Sequence, residues 1–211
     1  MNAGRTAIRR SDEVAEVIAR DIRSGVLSTG TWLKQVDVER RYQASRADVR
    51  RALEILLQRR LVEQIPERGF YVPFPDERRH RELRELRVTL ETSMAPSIIN
   101  NATTGNLEEL SALAQRFQDA VENGSIADRY EQNQAFHVAL AQLCSNREVV
   151  KLVVDLRGYV PAAPMSQWPD MARARLSSQE HFAMIDAIKA GDVDELKKLF
   201  EAHIAQPDVG L

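Results

Sequence analysis

Four side chains in the C-terminal two-thirds of the chain, Asn133, His137, His181 and His203, are of types that hold divalent metal ions. Each falls on an apolar helical stripe. Ile126, Tyr130, Asn133, His137, Leu140 and Cys144 recur by alternating steps of four and three, the spacing of a helix face turned to a core. Asn133 and His137 therefore point inward, one turn apart. His181 shares its stripe with Ile185 and Ile188, and His203 shares its own with Leu196, Leu199 and Phe200. A single inward histidine is ordinarily a hydrogen-bonded core residue. Burying four polar groups without partners costs on the order of 1–3 kcal/mol each, whereas convergence on one divalent ion satisfies all four. Imidazoles suit Zn²⁺ or Ni²⁺, and an open coordination position takes a carboxylate. The competing reading is a structural bundle whose histidines hydrogen-bond one another.

Helices must position these groups. Leu83, Leu86, Leu90 and Met94 mark one helix; Leu107, Leu110, Leu113, Phe117 and Val121 mark a second, started from Thr104 or Asn106. The Ile126 stripe is a third, running to about Leu143, and Val149, Val150, Val153 and Leu156 mark a fourth. A proline-rich stretch, VPAAPMSQWPD, separates these from two last helices, about 171–190 and 192–205, broken at Gly191. The spacing predicts an all-α bundle of six or seven helices over residues 79–211.

Upstream, Ser11 is placed to cap a helix with Val14, Val17, Ile18 and Ile22 on one face, ending near Gly25. A short helix follows over residues 36–43, with Val38 and Tyr42 inward. In SRADVRRALEILLQRR, Ser45 caps a third helix and Asp48 supplies the reciprocal acid of a capping box. Val49, Leu53, Leu56 and Leu57 face inward there, which leaves Arg46 and Arg50 on an exposed face. LVEQIPERGFYVP reads as a β-hairpin around residues 66–69. Pro73 and Pro75 then forbid helix continuation, so the predicted organisation is a unit over residues 1–73, a linker over 74–78 and the bundle.

The chain has 211 residues, 44% of them hydrophobic, enough to bury one or two cores. Only 6% are aromatic while 28% are charged, a balance that suits a soluble, helix-rich protein. No apolar run approaches the ~18 residues needed to span a bilayer and no signal-peptide pattern opens the chain, so the expectation is no membrane partner and a cytoplasmic location. One cysteine, Cys144, excludes an intrachain disulfide framework. The first unit is net basic and the remainder net acidic, which suggests different partners for the two.

Three helices followed by a hairpin make a winged helix-turn-helix. In such a unit the helix beginning at Ser45 enters the major groove with its N-terminal turn leading, where exposed amides favour phosphate. Arg46 and Arg50 are then able to donate bidentate hydrogen bonds to guanine or to grip phosphates, and Arg68 at the hairpin tip to reach the backbone or the minor groove. Paired arginines alone are more often a solvated charge run; the order of capped helix, wing and linker favours DNA reading.

The stretch from Val14 to Val72 resembles the DNA-binding domain of GntR-type bacterial transcription regulators, through IRSGVLSTGTWL, the SR-x-x-VR-x-AL core at Ser45 to Leu53, and the RGFYV wing. The resemblance implies that Ser45, Arg46 and Arg50 contact operator DNA, with Arg68 and Gly69 in the wing. Ala47 and Asp48 stand where that family usually has Thr-Pro, which would set a carboxylate near the DNA phosphates, and Val36 stands where some members have a DNA-contacting arginine. The bundle resembles the FCD effector domain of the FadR subfamily, through R-x-x-LE at Arg87 to Glu91, FH-x-AL at Phe136 to Leu140, EH-x-x-I-x-AI at Glu180 to Ile188, and the last helix ending at His203. That resemblance implies a metal held by Asn133, His137, His181 and His203, and an organic acid whose carboxylate Arg87 helps to hold. Asn133 departs from the commoner Asp, which weakens metal binding yet leaves the ion's charge uncompensated.

The expectation is a homodimeric, ligand-responsive repressor that binds a near-palindromic operator. The alternative is a helical metallohydrolase with an attached DNA-binding domain. That reading needs a positioned base, and Glu180, the nearest by sequence, sits ~100° around the helix from His181.

Overall fold

The first helix, α1 (Ala3–Arg23), starts well before the predicted cap. Ser11 is not its N-cap: good helix formers such as Ala7, Arg9 and Arg10 carry the helix upstream of it. The Ser11 side chain is buried instead, and its hydroxyl donates to Asp48 Oδ1 at 3.1 Å. The computed structural model describes residues 3–74, 76–159 and 171–205. They divide into two units that meet in sequence between Pro75 and Asp76.

In the first unit α1 is followed by β1 (Trp32–Leu33), α2 (Gln35–Tyr42), α3 (Arg46–Gln58), β2 (Glu63–Ile65) and β3 (Gly69–Tyr71). The predicted hairpin is present as β2 and β3, antiparallel, with Ile65 opposite Gly69. Gly69 has φ +102°, a conformation that strains any residue with a Cβ. A third strand, β1, joins the other side of β3 and pairs Trp32 with Tyr71. Two residues are too few to show an alternating pattern, so β1 leaves no periodic signal in the sequence. Ile18, Val49, Leu53, Leu56 and Leu61 fill the core beneath the wing.

Asp48 departs from expectation in an informative way. Its carboxylate does not face outward toward DNA; it is turned into the unit, accepting from Ser45 Oγ at 2.5 Å and Ser11 Oγ at 3.1 Å. Ser45 caps α3 by accepting from the Asp48 amide at 3.2 Å. The Ser45 hydroxyl, more than any other group, holds the Asp48 carboxyl below its ordinary value, against burial, which pushes it up. Asp48→Ala leaves two hydroxyls without their acceptor and is expected to cost about 1–3 kcal/mol in urea unfolding. Because folding lowers this pKa, the contribution is complete above about pH 4 and is lost as pH falls through the folded value. An unchanged unfolding midpoint at pH 7 would contradict this role.

The second unit contains α4 (Glu77–Asn101), α5 (Thr104–Asn123), α6 (Ile126–Gln142), α7 (Arg147–Tyr159), α8 (Met171–Ala190) and α9 (Val193–Ile204). Within this unit, α5 packs on α6 and α8, and α4 packs on α7 and α9. Local capping fixes the starts: Thr103, rather than Thr104 or Asn106, caps α5, in a box with Asn106, and Ser125 caps α6 in a box with Asp128. Gly191, at φ +70°, turns the chain between α8 and α9. Residues 160–170, the predicted proline-rich loop, lie outside the described residues.

The inward face of α4 is rotated from the predicted one. Leu86 is 45% exposed, while Glu91, Met94, Ala95 and Ile98 are buried. Buried Glu91 and half-buried Arg87 occupy inward positions one turn apart, so a stripe drawn through apolar residues alone has the wrong phase. Ile126, at the first turn of α6, is also on the surface at 40% exposure.

Candidate metal centre

α6, α8 and α9 each deliver one histidine to the same place in the bundle. His137 Nε2 lies 3.1 Å from His181 Nε2 and 2.9 Å from His203 Nε2. One ring nitrogen from each residue lies within 4.8 Å of the other two. His137 is 2% exposed and His181 fully buried. The Phe136 ring stacks on His181 with centroids 4.0 Å apart, and Phe117 lies against the same imidazole at 4.8 Å. Aromatic walls on His181 fix its ring plane and exclude water from that side.

The two readings of these contacts differ in the protons they require. Burial, reinforced by the positive charge of Arg157, lowers the basicity of His137 and His181 far below that of a free imidazole. Burial also lowers His203, with partial opposition from Glu180. The imidazoles are therefore neutral, with one N–H each. His203 Nδ1 lies 2.6 Å from Glu180 Oε2, which fixes its proton there and leaves Nε2 as a lone pair. His137 Nε2 faces two nitrogens, and with one proton position it cannot both donate to His203 and accept from His181. Hydrogen bonding among the three rings leaves one contact without a proton, whereas a cation shared by three Nε2 lone pairs leaves none.

Asn133, one turn before His137 on α6, has a buried Oδ1 without a hydrogen-bond partner, as do the Nδ1 atoms of His137 and His181. An amide oxygen left unpaired one helical turn before His137 fits a fourth ligand. The donor set thus suits a divalent ion of the zinc or nickel kind.

Glu180 was expected to lie off the metal-facing side. Its carboxylate meets the far nitrogen of His203 rather than the Nε2 cluster, and Arg173 Nη2 donates to it at 3.1 Å. It orients the His203 ring and is not placed as a base. Glu180→Ala is expected to weaken Zn²⁺ binding by about 10–100-fold in a chelator competition titration; a change under about twofold would remove this orienting role.

A second polar group was legible in the sequence only through Arg87; its pairing with Glu91 and Arg157 was not. Glu91 is buried between two guanidinium groups, with Arg87 Nε at 3.0 Å from one oxygen and Arg157 Nη2 at 2.7 Å from the other. Arg87, expected to hold an effector carboxylate, is thus tied to Glu91. Arg157 is 6% exposed, its Nε has no partner, and burial pushes its pKa down to about 10 against the pull of Glu91. It lies one turn after Val153 on the inward stripe of α7, but a basic residue in a last helical turn ordinarily reads as a partner of the helix dipole.

In the first unit Ser45, Arg46, Arg50 and Arg68 are exposed and Gly69 is half-buried. Arg50 Nε lies 3.7 Å from Glu54, one turn along α3. The Arg68 amide donates to Ile65 O at 3.0 Å and closes the wing turn.

A helix-turn-helix unit with a small antiparallel wing, followed by a helical bundle, is the plan of a DNA-binding transcription regulator. Residues 10–72 match the model of bacterial regulatory proteins of the gntR family, and residues 82–206 match the FCD domain. The chain belongs to the gntR family of bacterial regulatory proteins and carries an FCD domain. It is similar, at 30% identity over 87% of its length and 78% of the relative's, to the uncharacterized HTH-type transcriptional regulator BphR of Paraburkholderia xenovorans (strain LB400). It is similar at 21% identity over 93% of its length to the HTH-type transcriptional repressor RspR of Escherichia coli (strain K12), 86% of which is covered. The solved structure of E. coli McbR/YncC shares its fold, with TM-score 0.83 at 21% identity over 93% of this chain and 94% of that one. These relatives are transcriptional regulators and not enzymes, which leaves the metallohydrolase alternative without support. Among the described residues no helix is long and apolar enough to cross a membrane.

Proposed function

We propose that the chain is a cytoplasmic repressor that binds a near-palindromic operator as a homodimer and changes its grip when a small organic acid binds at a metal centre in the bundle. Residues 1–73 read DNA, 74–78 link, and 79–211 sense the acid and form the dimer. Asn133, His137, His181 and His203 hold the divalent ion, Zn²⁺ or Ni²⁺, and Arg87 helps to hold the acid. The observation that carries this reading is the meeting of three neutral imidazoles through nitrogens that have too few protons to satisfy one another.

When bound, the ion supplies a Lewis-acidic position for a carboxylate oxygen. The protein's own groups do the rest. Glu180 keeps the His203 proton on Nδ1 so that Nε2 is free to bind. Phe136 and Phe117 hold the His181 ring. Because the ligands come from α6, α8 and α9, occupancy biases how these helices pack, and that packing is the element through which the acid acts on the dimer. On the DNA side, Arg46 and Arg50 project from the exposed face of α3 and Arg68 from the wing, as base or phosphate contacts require. The repressor sense follows the relative RspR, which is named as one.

The test starts from operator DNA selected out of a random pool with the full chain. Fluorescence anisotropy then gives its affinity with Zn²⁺ or Ni²⁺ and a panel of organic acids. At least one acid is expected to weaken operator binding by about 5–150-fold, and operator must weaken acid binding by the same factor. Unchanged operator affinity with every acid would falsify the switch.

A further inference from the structure

Ser45 is exposed at the start of α3, but its hydroxyl proton is already used, and that limits what it takes from DNA; this inference rests on the DNA-reading role of α3 proposed above. A serine hydroxyl has one proton and two lone pairs. The Asp48 amide donates to Ser45 Oγ at 3.2 Å and occupies one lone pair. Ser45 Oγ lies 2.5 Å from Asp48 Oδ2, and a carboxylate has no proton to give, so the Ser45 proton points inward. The other carboxylate oxygen accepts from Ser11 Oγ at 3.1 Å, and Arg10 Nε stands 3.9 Å from Oδ2. The Ser45 hydroxyl above all, with Ser11 and Arg10, holds the Asp48 carboxyl below its ordinary value, so it is ionised at neutral pH. One lone pair remains on the outer side of Ser45.

DNA offers few partners for an outward lone pair. Phosphate oxygens only accept, and so do N7 and O6 of guanine, N7 of adenine and O4 of thymine. The donors in the major groove are the exocyclic amino groups, N6 of adenine and N4 of cytosine. A phosphate brought to Ser45 meets the lone pair with the Asp48 carboxylate behind it. Ala47 has no side-chain donor and Asp48 is turned inward, which leaves outward donation from the first three residues of α3 to the Arg46 side chain.

We propose that Ser45 is a specificity-determining residue that accepts a hydrogen bond from the amino group of adenine or cytosine in the operator and makes none to phosphate. Asp48 is the positioning residue that aims the Ser45 proton inward.

The test uses the full chain and the operator selected with it from a random pool. Deoxynebularine in place of adenine and deoxyzebularine in place of cytosine delete one amino group at a time across a half-site. Fluorescence anisotropy gives the affinity of the parent, Ser45→Gly and Ser45→Thr for each duplex. Glycine is nearly as good a helix cap as serine, so the variant keeps its fold. At one position per half-site, loss of the amino group is expected to weaken the parent and Ser45→Thr by about 2–10-fold more than it weakens Ser45→Gly. Neutral methylphosphonates set singly into the same half-site should weaken parent and Ser45→Gly equally at every phosphate. In Asp48→Ala the freed proton is able to turn outward, so a repeated selection should admit guanine or thymine at that one position and keep the parental choice elsewhere.

If no amino group distinguishes the parent from Ser45→Gly, or if a phosphate does, the inference is overturned and DNA reading by α3 stands. An unaltered selection with Asp48→Ala overturns the role given to Asp48. A random pool from which the chain enriches no sequence overturns both the inference and the DNA-reading assignment.

Discussion

Glu91→Gln is expected to lower the stability of the protein by about 3–5 kcal/mol, because it leaves buried Arg157 and half-buried Arg87 with no counter-charge between them. For a chain of this size that is a fall in Tm on the order of 10 °C. Arg157 Nη2 loses a charged acceptor at 2.7 Å and Arg87 Nε one at 3.0 Å, and an amide offers one oxygen where two were used. The acid limb of the stability profile carries the same signature. Burial pushes the Glu91 carboxyl up, but Arg157 and Arg87 together outweigh it and hold the pKa below the usual carboxylate value. A carboxyl lowered by folding contributes stability that is complete above about pH 4.3 and fades as pH falls through the folded value. Thermal melts from pH 7 downward should therefore fall more steeply for the parent than for the variant. A loss under about 1 kcal/mol at pH 7, or parallel acid limbs, would contradict the account of Glu91.

His137→Ala carries the second large effect, on metal affinity. His137 Nε2 is common to both short contacts in the cluster, at 3.1 Å to His181 and 2.9 Å to His203, and α6 delivers Asn133 one turn earlier. Removing a group that merely orients a metal ligand costs about 10–100-fold in affinity, so removing His137, the central ligand of the proposed site, should cost more than ~100-fold. Competition titration with a chromophoric chelator measures it. The apo protein should also lose about 2–4 kcal/mol, as large-to-small core changes do, since His137 packs edge-on against Phe136. A variant that retained parental zinc affinity would take His137 out of the ligand set.

The histidines were legible because each interrupts an apolar stripe, and a stripe of steps four and three leaves little freedom about where its members point. The bundle was legible for the same reason, with Gly191 marking its last break. The charged interior was not. Arg87 and Glu91 hold inward positions on α4 that a hydrophobic pattern assigns to solvent, which also misplaced Leu86. Arg157 had no reading from the sequence and Glu180 was weighed only as a candidate base; the tertiary structure supplies Glu91 and His203 as their partners. Ser11 was misread as a cap because its partner, Asp48, lies 37 residues away in sequence. In each case the missing information was a long-range polar pairing, which leaves no periodic trace.

Elemental analysis of the full chain, expressed in metal-replete cells and purified without chelator or a metal-affinity step, bears most directly on the central claim that His137, His181 and His203 form a metal centre. The expected result is about one divalent ion per chain, removed by chelation with a fall in Tm and restored with a rise on adding Zn²⁺ or Ni²⁺. A protein that carries no ion above trace, and whose Tm neither metal raises, would contradict the claim and leave the three imidazoles as a hydrogen-bonded core.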